Sequence, residues 1–411
     1  MPVPPLQRIS ELLPEEIQRI VQRETPIPTV AQAAKAKKAE VPTLVRGDIG
    51  QIVGVDEKLE VLYGPPLGME ELRAVVAETY NLAFGLGDGV LESAPQGLSG
   101  RNVAVCTGAA EALSLLFRCF AKGKTVALPR GFWENYLNGI DMAGARPVIV
   151  DFFDEQGALD IAGIERAIDT EGIAIMVVNF PCNPTGAVLG IDECQALADL
   201  VERTGVILIA DEVYARIRFD GCPPQTLIKF APGNAISVFS ASKEYLHPGA
   251  RIGYVVCAYE QLTNEVFRKV IRANTASPNV LGQRRVLELM QPDLEDLRAG
   301  REPRMLTRIR DEVGARCGLL LDVLERHGFT PVGRAGHRPM GTIFLTAALP
   351  DWWAGNDVSF SKAAIESGCV SSVPGSAFGL DGSIRLSFGA MTRDDIGQLD
   401  RNLSEFRASL G

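Results

Sequence analysis

The chain reads as an α/β protein: a large domain with a mostly parallel seven-stranded sheet flanked by helices, followed by a smaller α+β domain. Three observations carry this reading. Between residues 102 and 257, short β-branched runs alternate with helix-length segments, the pattern of parallel strands joined by crossover helices. Runs such as ILIA are apolar throughout, as buried strands are. A length of 411 residues exceeds one average domain, which calls for a second unit.

The elements follow in order. Residues 1–45 carry an amphipathic stretch (Leu13, Ile17, Ile20, Val21), then Pro26, Pro28 and an Ala/Lys run. This predicts a helix, a bend and a second helix, an arm that packs with the smaller domain. RGDIGQ, residues 46–51, reads as a loop whose two glycines permit close backbone approach. In LYGPPLGMEELRAVVAETY, residues 62–80, a Gly/Pro turn precedes a helix with Leu72, Val75, Val76 and Tyr80 on its apolar face. Strands are expected at 102–106, 125–128, 147–150, 173–178, 206–210, 236–240 and 252–257, with helices at 107–120, 133–143, 160–168 and 191–204 between them. A polar helical stretch over 258–326 is punctuated by Pro278, Pro292 and Pro303. Strands at 329–333, 342–346, 370–373 and 384–388, with helices at 357–367 and 393–408, complete the smaller domain. The domain boundaries are therefore 46–285 for the large unit, and 1–45 with 286–411 for the arm and small unit.

Composition excludes several function classes. Apolar content of 46% with 22% charged residues is globular. A net charge of −10 weighs against a nucleic-acid-binding surface. No apolar run approaches the roughly 20 residues of a membrane span. Eight cysteines lie scattered without a CxxC pair, and three histidines, His247, His327 and His337, give no zinc spacing, so no metal site is expected. Thiols in apolar runs, and a first segment MPVPPLQRIS without the basic start and apolar core of a secretory signal, fit a reduced, cytoplasmic protein.

Candidate chemistry sits where strands end, since ligands on parallel sheets bind outside the carboxyl ends. NVAVC runs into TGAAEAL, a turn and helix start that offer unpaired N–H groups to an anion at Thr107–Ala109. VVNFPCNPTG brings Asn183 to the same edge, and ILIADEVY brings Asp211 and Tyr214. A carboxylate ending an apolar strand needs a cation or strong donor. ISVFSASKEYLHPGARIGY holds Lys243 between two apolar runs, with Arg251 beyond it. Such a lysine is either a hairpin-loop residue or a reactive group.

Taken together, Asn179 with NPTG, then ADEVY, then SASK with an arginine eight residues after the lysine, then IRLSFG, resemble the class I/II aminotransferases, pyridoxal-phosphate enzymes of fold type I. The resemblance runs in family order from RGDIGQ to IRLSFG. It implies that Lys243 forms the Schiff base with pyridoxal 5'-phosphate and then moves the substrate proton, and that Asp211 pairs with the pyridine nitrogen. Tyr214 and Asn183 would bond the phenolic oxygen. Gly108, Ala109, Ser240 and Arg251 would hold the phosphate, and Trp133 would stack on the ring, with Phe132 its competitor. Arg385 would grip the substrate carboxylate, assisted by Gly50 and Asn183. Tyr63 would reach the phosphate of a neighbouring subunit, which implies a homodimer with shared sites.

The implied reaction moves an amino group from an L-amino acid to a 2-oxo acid. A lyase, decarboxylase or cyclising synthase on the same scaffold shares Lys243, Asp211 and Arg385 and is the alternative. A non-catalytic pyridoxal-phosphate-binding regulator would need a DNA-binding module that the short arm does not offer. Departures from the family pattern are His247-Pro248 between the two cations and Gln51-Ile52 after RGDIG. Arg272 lies near the position where dicarboxylate-specific members place a partner-subunit arginine, but reads more readily as a plain helix-surface residue.

Overall fold

A computed structural model of the chain describes residues 4–23, 33, 36, 37, 39–41, 61–335 and 337–410. RGDIGQ, with Gly50, lies outside the described residues. Seven strands, β1 (Val103–Cys106), β2 (Thr125–Pro129), β3 (Arg146–Val150), β4 (Ile173–Val178), β5 (Ile207–Asp211), β6 (Ala235–Ser240) and β7 (Gly253–Cys257), form one sheet in the order β1-β7-β6-β5-β4-β2-β3. Only β7 runs against its neighbours.

These strands are apolar at successive positions because both faces are covered. Side chains alternate between faces. Thus Val126, Ile175, Ile207, Ile236 and Val255 join one core with the helix Ala109–Phe120, while Ala127, Met176, Leu208 and Ala235 join another with the helix Ile191–Thr204. Four further strands, β8 (Thr330–Val332), β9 (Phe344–Ala348), β10 (Val373–Pro374) and β11 (Ser383–Ser387), form an antiparallel sheet in the order β10-β11-β9-β8. The helices Arg304–Arg326, Asp357–Glu366 and Arg393–Ala408 pack with it around Leu320, Leu345, Phe360 and Leu403.

Four expectations are corrected here. The described part of the arm packs with the large sheet: Leu6, Leu13 and Ile17 are buried in its core, Lys122 pairs with Glu16, and Lys269 bonds the Val21 carbonyl. Pro292 does not end a helix but lies inside Val280–Arg298. A proline there costs about 3 kcal/mol, yet Val286, Leu287 and Met290 bury against Leu72 and Val76 of the helix Glu70–Phe84, each contributing roughly 1.5–3 kcal/mol, so burial wins. The division expected at 285/286 falls inside this helix, whose packing belongs with the large sheet. Finally, β10 begins at Val373, where the sequence predicted its end.

Candidate functional site

β5 ends in Asp211, whose side chain is 4% exposed. Its Oδ2 accepts from Tyr136 Oη at 2.5 Å, its backbone carbonyl accepts from Asn179 Nδ2 at 2.7 Å, and its Oδ1 has no partner among the described residues. Burial raises the carboxyl to about 6, opposed by the Tyr136 bond and by Lys243. A buried carboxylate oxygen without a donor costs about 1–3 kcal/mol, so the position is built for a donor or cation that the chain does not itself supply. Tyr136 lies on the helix Asn135–Met142; sequence reasoning missed it. Trp133, half-buried, meets the Tyr136 ring edge-on at 5.5 Å, whereas Phe132 is buried in the core.

β6 ends in Ser240, which caps the helical turn Ala241–Glu244 by accepting from the Ser242 N–H at 3.1 Å. Lys243 therefore leaves the sheet on a short helix rather than an open loop. Its Nζ sits 5.7 Å from the centroid of the Tyr214 ring. Burial lowers the lysine's pKa, Arg385 and Arg251 add to the shift, and Asp211 opposes it. Tyr214 is itself buried, and its hydroxyl is held protonated by burial and by the Asp211 charge.

The anion cradle lies at the ends of β1 and β6 and the start of β7. Gly253 pairs with Cys106 on one side and Ser240 on the other, which draws Ser240, Arg251 and the start of the helix Ala109–Phe120 together. Gly108 has φ +82°, and a Cβ there would fall 2.6 Å from Arg251 Nη2. A Cβ on Gly253 would fall 2.5 Å from the Ala109 nitrogen. The Gly108 N–H is already given to the Cys106 carbonyl at 2.8 Å and the Thr107 N–H to Glu111 Oε2 at 2.5 Å. Gly108 thus contributes space, and Ala109, at the helix start, contributes a backbone donor. Arg251 itself has φ +54°, and its Nη1 donates to the Pro248 carbonyl at 3.1 Å. In the intervening turn, His247 Nδ1 lies 2.6 Å from the Tyr245 carbonyl and its Nε2 accepts from Arg285 at 3.4 Å.

Arg385, on β11, points its guanidinium between the rings of Phe344 (4.4 Å) and Phe378 (4.6 Å) and donates from Nη1 to Asn183 Oδ1 at 3.1 Å. No carboxylate pairs with it among the described residues. Phe344 also meets Tyr214 edge-on at 6.3 Å, and Arg385 lies close enough for its charge to act on both Tyr214 and Lys243. Asn183 is anchored by its N–H to Asn179 Oδ1 at 2.7 Å. Tyr63 is 72% exposed, and Arg272 is half-buried on the helix Arg268–Thr275.

A lysine of lowered pKa, a partner-seeking carboxylate, a glycine-lined cradle for an anion and a stacked arginine define a group-transfer site. Comparisons agree. Residues 25–402 match the family model "Aminotransferase class I and II". The aspartate/prephenate aminotransferase of Thermus thermophilus is 29% identical over 355 residues, 85% of this chain and 83% of that protein. A probable aspartate/prephenate aminotransferase of Thermus aquaticus is 31% identical over 332 residues, 79% of each. The solved structure of Thermus thermophilus aspartate aminotransferase with maleate superposes with a TM-score of 0.74 at 25% identity, covering 97% of this chain and 98% of that one. The chain belongs to the class I and II aminotransferase family, and it is an enzyme of that pyridoxal-phosphate-dependent class. Among the described residues, no helix is long and apolar enough to cross a membrane.

Proposed function

We propose that the protein holds pyridoxal 5'-phosphate at the ends of β1, β4, β5 and β6 and uses it to move an amino group from an L-amino acid to a 2-oxo acid. The reading is carried by Arg385, a half-buried guanidinium without a carboxylate partner among the described residues, whose charge helps to lower the pKa of Lys243. The residues present fit the cofactor. The unpartnered Oδ1 of Asp211 meets the need of a protonated pyridine nitrogen, and the cradle of Gly108, Ala109, Ser240 and Arg251 suits a phosphate.

When bound, the cofactor supplies an aldehyde that condenses with amines and a ring that takes up the electron pair released at the substrate α-carbon. Asp211, steadied by Tyr136, keeps a proton on the ring nitrogen. Tyr214 and Asn183 donate toward the phenolic oxygen, and Trp133 covers the ring face. Lys243 Nζ anchors the aldehyde carbon at rest and takes up the α-proton during turnover; its lowered pKa supplies the neutral amine that this needs. Arg385 binds the α-carboxylate, and Phe344 and Phe378 keep water from its guanidinium faces.

The active form in this reading is a homodimer in the cytoplasm. Leu62, Tyr63, Leu246 and Leu281 are large apolar or aromatic side chains left exposed, and a second copy covering them brings Tyr63 to its neighbour's phosphate. All eight cysteines are free thiols, which fits a reducing compartment. The relatives' names point to aspartate as the amino donor and prephenate, a 2-oxo acid, as the acceptor to try first. A screen of amino acids against 2-oxoglutarate and pyruvate tests the reading: the expected result is a new amino acid formed in step with a new 2-oxo acid. Ammonia, pyruvate or carbon dioxide accumulating without an acceptor would overturn it.

A further inference from the structure

Beneath the lysine lies a buried ion cluster that the reaction does not use. Arg216, two residues after Tyr214, is 1% exposed. Its Nη1 donates to Tyr245 Oη at 3.1 Å and to Glu244 Oε2 at 3.5 Å, and its Nη2 donates to Asp293 Oδ2 at 3.4 Å. Tyr80 Oη donates to the same Glu244 oxygen at 3.4 Å. Glu244 and Tyr245 are the two residues that follow Lys243. Next to Arg216, the Ile217 carbonyl accepts from Thr342 N–H at 3.0 Å and the Phe219 N–H donates to Met340 O at 2.9 Å. That edge leads into β9, which pairs with Arg385's strand.

A buried ion pair is a poor way to gain stability, because desolvation offsets most of the attraction. Its bonds are directional, however, and here they fall on consecutive residues of the turn that aims the lysine. We propose that Arg216 is a positioning residue: through Glu244 and Tyr245 it fixes the turn that presents Lys243 to Tyr214, while its backbone neighbours Ile217 and Phe219 bond the segment that leads into β9. This deepens, and rests on, the aminotransferase reading.

Tyr245→Phe tests it most cleanly, since it removes only the hydroxyl that meets Arg216 and Asp293 and keeps the ring; Arg216→Lys keeps the charge but loses the fork. Two quantities are read in the full-length protein. One is the pH midpoint for labelling of Lys243 by a small amine-reactive reagent without cofactor, followed by peptide mass spectrometry. The other is the separate kcat and KM of the holoenzyme for its amino donor. The expected result for Tyr245→Phe is a kcat lower by about threefold to tenfold, the worth of such hydrogen bonding, a KM within about twofold, and a labelling midpoint moved by about half a pH unit. Arg216→Lys moves both further in the same sense. A lowered melting temperature with kcat and midpoint unchanged would mean a merely structural cluster and overturn the proposal, as would a raised KM at constant kcat. If Arg216→Lys does not fold, Tyr245→Phe decides alone. Loss of amino transfer in the parent protein would instead sink the aminotransferase reading, and the labelling midpoint would still report on the turn.

Discussion

Tyr136 Oη lies 2.5 Å from Asp211 Oδ2, while the second oxygen makes no hydrogen bond among the described residues, although the Val213 N–H and Lys243 also favour the ionised carboxylate. One half of the anion is satisfied by the chain and the other half is kept for something else. The tyrosine, buried and with its hydroxyl pushed to higher pKa by burial and by Asp211, can only donate.

The cost of that arrangement is measurable without cofactor. Burial raises the Asp211 carboxyl from 3.8 to about 6. Between those values the unfolded chain gives up its proton before the folded one does, so folding loses stability as pH rises through this window and the loss is complete above it. At about 1.4 kcal/mol per unit, the penalty is on the order of 2–3 kcal/mol. Cofactor-free Asp211→Asn should therefore be more stable than the parent at about pH 8, with the gap closing as pH falls toward about 4. Urea unfolding across that range checks it, and a constant gap would contradict the burial of an ionised Asp211.

Lys243→Ala should retain cofactor through the phosphate cradle and the Asp211 contact, yet lose the visible absorbance of a lysine-bound cofactor. Absorbance spectra before and after gel filtration decide this. Retained absorbance would name another lysine as the anchor.

Arg385→Ala should raise the KM of both amino donor and oxo acceptor by about a hundredfold or more, as loss of a charge-assisted pair does, with cofactor affinity changed by no more than about threefold. Steady-state kinetics beside a cofactor titration separate the two. Equal loss of both affinities would contradict the assignment of the guanidinium to substrate.

Gly108→Ala places a methyl 2.6 Å from Arg251 Nη2 at φ +82°. We expect about tenfold or greater loss of cofactor affinity as the guanidinium is displaced. Gly172→Ala, at φ +63° with nothing within 4 Å, carries similar backbone strain and should cost about 1 kcal/mol of stability without touching cofactor binding. Comparing cofactor titrations of the two variants isolates the cradle from the strain.

Much of the fold was legible because burial leaves a local mark. The apolar runs that became β4, β5 and β6 could be neither loops nor surface helices, and Gly172 and Gly205 end helices near the positions that the spacing predicted. Long-range pairings leave no such mark. Tyr136 looked like one more aromatic in a helix; only the donor that a strand-end aspartate requires, sought one helical turn after Trp133, could have singled it out. Arg216 carries no mark of its role in the sequence because its partners Glu244, Tyr245 and Asp293 come from distant segments. Pro292 was taken as a break because the helix on which Val286 and Met290 pack lies some two hundred residues earlier in the chain.

β7 is the strand that enters the site where its neighbours leave it, so Lys243 and Arg251 reach the same edge from opposite chain directions with a short turn between them. Surface loops ordinarily absorb insertions at little cost. This one has no such freedom: each residue added or removed between Glu244 and Ala250 would shift the arginine relative to the lysine while both strands stayed in register. The separation of the two cations is thus written into the length of the chain.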